Sequence, residues 1–195
     1  MKHIALLTTL LLSASLQAVE KPYDYVFFEN SLMKGDYFYS QAKYTSPSWI
    51  KNARHHLPVA GSVAFTPGNS LELTYVSAPG GDWYSEIQYC PVRGNDFFRE
   101  PSTLSMQVRL RESMNAAALP NIAIRYADST YTQYLNLRNY LKDTRPGVWH
   151  PVSIPLEDFG LNAVNDTNIK KLAAVALRPG TADGNEYTIY LDDIE

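Results

Sequence analysis

The chain has 195 residues, of which 45% are apolar and 19% are charged, and its formal net charge is −3. This length suits one ordinary domain, and the apolar fraction excludes a largely disordered chain. The sequence has no basic patch or basic tail, which argues against nucleic acid and anionic membranes as partners. The single cysteine, Cys90, excludes an intramolecular disulfide bond.

The first residues have the pattern of a signal peptide. A short positively charged start precedes an apolar run at residues 4–12, and small residues continue the segment to Ala18. The run is too short to span a bilayer, so the pattern favours cleavage after Ala18 over a membrane anchor or a buried helix. We therefore expect a signal peptide at residues 1–18 and one exported domain, periplasmic or extracellular, at residues 19–195.

The remaining sequence is dominated by short segments in which apolar and polar residues alternate, which is the period of a β-strand. Clusters of Pro, Gly, Asn and Asp separate these segments, as expected of turns. The predicted strands lie at residues 71–75, 83–89, 104–110, 122–126, 131–137, 148–154, 172–177 and 187–191. Because so many strands must bury their apolar faces, the sequence predicts an all-β sandwich of two antiparallel sheets. Short helical segments are predicted at residues 47–53 and 156–159.

Both ends of the expected domain resemble a known fold family. Residues 149–159, 169–172 and 187–194 are similar to the closing strands of galactose-binding-like jelly-roll domains, and residues 27–30 (Phe-Phe-Glu-Asn) resemble their opening strand. Many carbohydrate-binding modules attached to glycoside hydrolases have this fold. The resemblance implies a jelly-roll β-sandwich, a polysaccharide or oligosaccharide ligand, and a fused or associated glycoside hydrolase as a partner.

A structural calcium ion is a further expectation, because similar modules often carry one where the first and last strands meet. Glu29 follows the first predicted strand, and Asp192 and Asp193 end the last one. Adjacent carboxylates repel unless they are solvated, capped or bound to a cation, and calcium prefers oxygen ligands. Strand alternation lets only one of the two aspartates point inward, and the sequence leaves open which one. A solvated acidic strand end is the alternative.

Candidate sugar-binding residues occupy polar positions of the predicted strands. Sugars stack an apolar face on aromatic rings and exchange hydrogen bonds with Arg, Gln and Glu side chains. Strand positions of these types, with one aromatic residue from a predicted loop, give the set Tyr84, Glu86, Gln88, Arg109, Arg125, Tyr134 and Trp49.

A glycan-active enzyme on the same fold is the alternative function. Glycoside hydrolysis needs two carboxyl groups on either side of the bond, and Glu72 and Glu86 are candidates for a facing pair. A lyase groove would use Gln88, Arg109 and tyrosines. The sequence has no phosphate-binding glycine loop, no Gly-x-Ser-x-Gly elbow and no His-x-x-x-His pair. Non-catalytic carbohydrate binding is therefore the favoured prediction.

Overall fold

The structure, a computed structural model, describes residues 26–89, 102–161 and 172–195. The predicted signal peptide and Cys90 lie outside these ranges. The described strands are β1 (Ser40–Thr45), β2 (Trp49–Ile50), β3 (Val59–Ala60), β4 (Ser70–Val76), β5 (Asp82–Gln88), β6 (Thr103–Leu110), β7 (Asn121–Tyr126), β8 (Leu135–Asn136), β9 (Trp149–Pro155), β10 (Leu172–Arg178) and β11 (Glu186–Asp192). Within the same ranges, three short 3₁₀ helices span Ala116–Ala118, Leu137–Tyr140 and Leu156–Phe159.

The strands form two antiparallel sheets, as the sequence predicts. The first sheet has the order β1-β5-β10-β7-β8, and the second has the order β2-β4-β11-β6-β9, with β3 also paired to β4. Neighbouring strands are therefore mostly distant in sequence. The all-β sandwich of the prediction is confirmed.

The core lies between the two sheets and follows the alternation of the sequence. In β6, every second residue from Leu104 to Leu110 is buried, whereas Ser105, Gln107 and Arg109 between them are half-buried on the outer face. Burying one such apolar side chain contributes roughly 1.5–3 kcal/mol to stability. The period-two pattern thus decides which face of each strand points inward.

The two ends of the described chain meet just beyond the end of β11, the central strand of the second sheet. Phe28 and Ile194 form an isolated antiparallel bridge, in which the Ile194 N–H donates to the Phe28 carbonyl at 2.7 Å. The predicted neighbourhood of the opening and closing segments is therefore correct. The opening segment is limited to this bridge and does not continue as a strand.

Local predictions are correct where burial follows the pattern and wrong at the edges. The helical segment at 156–159 is present, but the one at 47–53 is wrong because β2 runs through it and buries Ile50 against the core. The predicted strand at 131–137 is reduced to β8 and one bridge at Tyr131. The edge strand β1 escaped prediction because its second half is exposed and its alternation is weak.

The structure describes no helix with both the length and the apolar character needed to cross a bilayer in residues 26–89, 102–161 and 172–195.

Candidate functional site

The outer face of the first sheet has a floor of small residues. Ala174, Ala176 and Ala123 lie on this face in the adjacent strands β10 and β7, and all three are fully buried beneath larger side chains. Ala176 lies directly opposite Glu86 of β5. An alanine floor leaves room above the sheet for the side chains of the flanking strands.

Six side chains gather above this floor, and we call them the first-sheet site. They come from β5, β7, β10 and the segment that leads to β8. The site consists of Tyr84, Glu86, Arg125, Tyr131, Tyr134 and Arg178.

A buried ion pair lies at the centre of the first-sheet site. Arg125 Nε is 2.6 Å from Glu86 Oε1, and the two side chains are only 16% and 4% exposed. The N–H direction does not align with that oxygen, so the contact is an ion pair rather than a linear hydrogen bond. Tyr131 donates its hydroxyl proton to the same Glu86 oxygen at 3.1 Å. Pairing of this kind offsets the cost of removing both charges from water.

An arginine lies between two tyrosine rings beside the ion pair. The Arg178 guanidinium carbon is 5.6 Å from the ring centroids of both Tyr84 and Tyr134, which is within cation–π range. Arg178 Nε also donates to the Tyr134 hydroxyl at 3.1 Å, and Nη1 contacts Asp82 at 3.2 Å. The Tyr134 ring stacks on Tyr131 with centroids 6.1 Å apart. The aromatic rings are therefore held in fixed positions before any ligand arrives.

A close backbone approach fixes the end of β10 that carries Arg178. A Cβ atom on Gly180 would collide with the carbonyl oxygen of Leu119, so only glycine fits there. Thr181 N–H then donates to the Ala117 carbonyl at 2.8 Å.

Two tyrosines of the site, Tyr84 and Tyr134, have a raised pKa that favours the neutral hydroxyl. Burial raises the pKa of the Tyr84 hydroxyl, and its contacts with Glu86 and Tyr131 raise that pKa further. Burial also raises the pKa of Tyr134, although Arg178 opposes the shift. Neutral hydroxyls both donate and accept hydrogen bonds, which suits an uncharged polyhydroxyl ligand.

Four of the predicted sugar-binding residues meet in this site, namely Tyr84, Glu86, Arg125 and Tyr134. Gln88 lies on the same face opposite Ala174, one outward position beyond Glu86. The prediction missed Tyr131 and Arg178. Tyr131 falls within a predicted strand, and Arg178 is the first residue of the Arg-Pro-Gly turn. The sequence does not show toward which face either side chain points.

The other two predicted residues lie elsewhere. Arg109 in β6 and Trp49 in β2 occupy the outer face of the second sheet, so they do not share a face with Tyr84. Strand alternation shows which face a residue takes but not which sheet its strand joins. For the same reason the facing pair of Glu72 and Glu86 is wrong, because these residues belong to different sheets.

The predicted calcium ligands lie where β11 ends. Asp192 is fully buried, and Oδ2 accepts hydrogen bonds from the Phe65 and Thr66 amides while Oδ1 accepts one from Asp193 N–H. Burial raises the pKa of Asp192 to about 6, although these backbone donors oppose the shift. Asp193 Oδ2 accepts the Thr66 hydroxyl at 2.7 Å.

Both carboxylate oxygens of Asp192 therefore already accept backbone N–H groups. The described ranges contain no group of three or more His, Cys, Asp or Glu side chains arranged to hold a metal ion. Calcium binding by Glu29 with Asp192 or Asp193 stays a prediction.

Comparison with known proteins decides the family. The model of the family described as Carbohydrate binding domain 30 matches residues 24–195, which is most of the chain. The chain belongs to this family.

Solved structures similar to this family 30 domain are carbohydrate-binding modules. One is the family 30 module of a cellulosomal cellulase of Clostridium thermocellum, with a TM-score of 0.62 and 17% identity over 87% of this chain and 94% of that chain. A second family 30 module has a TM-score of 0.61 and 18% identity over 87% and 84% of the two chains. At such identities, the similarity supports the β-sandwich fold alone.

A module of another family has the same fold. The family 11 module from Clostridium thermocellum, in complex with a β-1,3-1,4-mixed-linked tetrasaccharide, has a TM-score of 0.56 and 11% identity over 88% of this chain and 94% of that chain. Family membership makes non-catalytic carbohydrate binding the function of this family 30 domain, with a polysaccharide or oligosaccharide as its ligand. The alternative of a glycan-active enzyme is not favoured.

Proposed function

We propose that the first-sheet site is the carbohydrate-binding site of this family 30 domain and that its ligand is a β-linked glucan. The observation that carries the proposal is the arrangement of three tyrosine rings and Arg178 above the Glu86–Arg125 pair on one sheet face. The glucan is suggested by the names of similar modules, one from a cellulase and one in complex with a mixed-linked tetrasaccharide.

Each part of the site has a role in this proposal. A pyranose ring stacks its apolar face on Tyr131 or Tyr134, which are partly exposed. The hydroxyl groups of the sugar exchange hydrogen bonds with Arg178 and with the tyrosine hydroxyls. Because Arg178 is already held between Tyr84 and Tyr134, little side-chain entropy is lost when the sugar binds.

Affinity gel electrophoresis with soluble barley β-glucan tests this proposal, with xylan as the comparison polysaccharide. We expect β-glucan to slow the migration of the full chain and Tyr134→Ala to weaken the retardation about tenfold, since a stacked ring contributes roughly 1–3 kcal/mol and every 1.4 kcal/mol is tenfold in affinity. Tyr44→Ala is the matched control, because Tyr44 is an exposed tyrosine of β1 in register with the core residue Trp83. Equal retardation of both variants would contradict the proposed site.

The export signal and the hydrolase partner also belong to the proposal. Residues 1–18 direct export, and the domain acts beside a glycoside hydrolase that degrades the same glucan. Mass spectrometry of the exported protein tests the first statement, with Val19 expected as the first residue. Co-purification of hydrolase activity on β-glucan from the native source tests the second.

Calcium at the end of the sandwich is a separate prediction. Thermal unfolding in EDTA and in millimolar calcium tests it, and a rise in Tm with calcium that Asp193→Ala removes would support it. An unchanged Tm in calcium would contradict it.

A further inference from the structure

The outer face of the second sheet carries four side chains in one line across the strands. Trp149 lies directly opposite Arg109, Arg109 opposite Tyr190, and Tyr190 opposite Glu72. Directly opposed residues point to the same face of a sheet, so these four form a transverse row. We call it the second-sheet row, and it runs across β9, β6, β11 and β4.

The arginine at the centre of the row differs from four other arginines in its pairing within the described residues. Arg54, Arg125, Arg145 and Arg178 each form an ion pair with a carboxylate. In the part of the chain that the structure describes, the Arg109 guanidinium has neither a hydrogen bond nor an ion pair. Arg109 is half-buried between two aromatic neighbours and brings five N–H donors to this face.

An aromatic ring flanks the second-sheet row at the Trp149 end, and an ion pair lies at the Glu72 end. Phe65 stands beside Trp149 with ring centroids 6.0 Å apart, and half of Phe65 is exposed. The Phe65 backbone N–H donates to the buried carboxylate of Asp192 at 2.7 Å, and this hydrogen bond fixes the position of Phe65. At the far end Lys51 pairs with Glu72 at 2.6 Å.

The spacing of the row suits an extended sugar chain. Neighbouring strands lie about 4.8 Å apart, so Trp149 and Tyr190, two strands apart, are roughly 10 Å from each other. This separation is comparable with the length of one disaccharide unit. Two sugar rings can therefore stack on the two aromatic residues while hydroxyl groups between them meet Arg109.

We propose that the second-sheet row is a second carbohydrate-binding surface, which takes a β-linked glucan across the strands. This surface goes beyond the first-sheet site and does not depend on it. The row fits a sugar chain because two aromatic residues about one disaccharide unit apart flank an arginine that can donate to sugar hydroxyl groups.

The position of the two surfaces has a functional consequence. They lie on the outer faces of different sheets, with the core between them. One glucan chain held at one face cannot reach the other without passing around the sandwich edge. Two separate polysaccharide chains can therefore bind at the same time, one on each face.

Affinity electrophoresis of the full chain in barley β-glucan gels separates the two surfaces. We expect Tyr134→Ala to leave residual retardation and the addition of Arg109→Ala to reduce it by about tenfold, the effect of losing charged hydrogen bonds. Lys34→Ala is the matched control, since it removes one positive charge from an exposed loop residue. Thermal unfolding verifies that each variant is folded, and Arg109→Gln replaces Arg109→Ala if the latter is unstable.

A precipitation assay gives the second readout. We expect the parent chain to make high-molecular-mass β-glucan turbid, and either Tyr134→Ala or Arg109→Ala alone to abolish the turbidity.

Each possible result either supports or contradicts the second carbohydrate-binding surface. If Arg109→Ala has no effect in the Tyr134→Ala background, the second surface is wrong and the first-sheet site stands. If only Arg109→Ala weakens binding, the first-sheet proposal is wrong and the second surface stands. If Arg109→Ala changes sedimentation of the chain instead of glucan binding, the row is a protein interface and the inference is wrong.

Discussion

On the outer face of the first sheet, Arg125 and Arg178 each contact a carboxylate of the same face. On the outer face of the second sheet, Arg109 has no such partner among the described residues. Burial accounts for one of these pairs. The Arg125–Glu86 pair lies almost fully buried beneath the tyrosine rings, so its charges must be paired, whereas the Arg178–Asp82 pair and the half-buried Arg109 keep contact with water.

The two faces also differ in the size of their central residues. The first has alanines in β7 and β10 beneath large side chains, and the second has a pair of threonines, Thr74 and Thr188, whose hydroxyl oxygens are 2.9 Å apart. Alanine side chains have no polar atoms and need no hydrogen-bond partners, whereas the two threonine hydroxyl groups are partners for each other. Four substitutions sharpen this comparison.

The largest effect is expected from Arg125→Ala on the first face. It leaves the buried Glu86 carboxylate without its cation, and such losses cost about 3–5 kcal/mol of unfolding free energy. Urea denaturation measures the change. Arg145→Ala is the control, because its ion pair with Asp143 is exposed and is expected to contribute at most about 1 kcal/mol. Similar losses for both variants would show that the first face is wet.

The next effect is expected from filling the alanine floor. Ala176→Leu adds bulk to a fully buried position beneath Glu86, and overpacking of this kind costs about 1–3 kcal/mol. Denaturant unfolding should show this loss together with weaker β-glucan retardation. Ala117→Leu, at an exposed position of a 3₁₀ helix, should change neither. A neutral Ala176→Leu would mean that the floor is open to solvent.

On the second face, Asp192→Ala removes the acceptor for three backbone N–H groups. Two of them belong to Phe65 and Thr66, so we expect a loss of about 1–3 kcal/mol and a less firmly held Phe65 segment. Thermal unfolding measures the loss. Asp193→Ala removes a single hydroxyl contact with Thr66 and should cost less. The reverse order would contradict the anchoring role of Asp192.

The smallest effect is expected from the threonine pair. Thr188→Val keeps the shape of the side chain but leaves the Thr74 hydroxyl with only Glu72 as a partner, at 3.2 Å. We expect a loss of about 0.5–1.5 kcal/mol, the usual contribution of one hydrogen bond. The double variant Thr74→Val/Thr188→Val should recover part of this loss, since no polar atom is then unpaired. A further loss in the double variant would contradict the pairing.

The alternation of apolar residues was a sound guide to strands and to faces. Tyr84 and Glu86 point outward and Trp83 points inward, as their positions in the pattern require. The alternation failed to predict two strands, β1 and β2, whose structure depends on tertiary packing. The edge strand β1 is half exposed, and β2 is held by the burial of Ile50 in a stretch that reads as helical.

The candidate site was only half predictable. Residue type and strand position were enough to choose Tyr84, Glu86, Arg125 and Tyr134. Arg109 meets the same two criteria, but its strand belongs to the other sheet. The reason is topological, because antiparallel order β5-β10-β7 joins strands that are far apart in the chain.

The sequence alone determined the all-β class, the jelly-roll resemblance and the inward or outward direction of most strand residues, because these depend on a local period of two. Only the tertiary structure decided which strands are neighbours. It brought Arg178 between Tyr84 and Tyr134 and placed Arg109 beside Trp149 and Tyr190. Contacts of that kind depend on sheet order, which is set by burial of the whole core and not by any short segment.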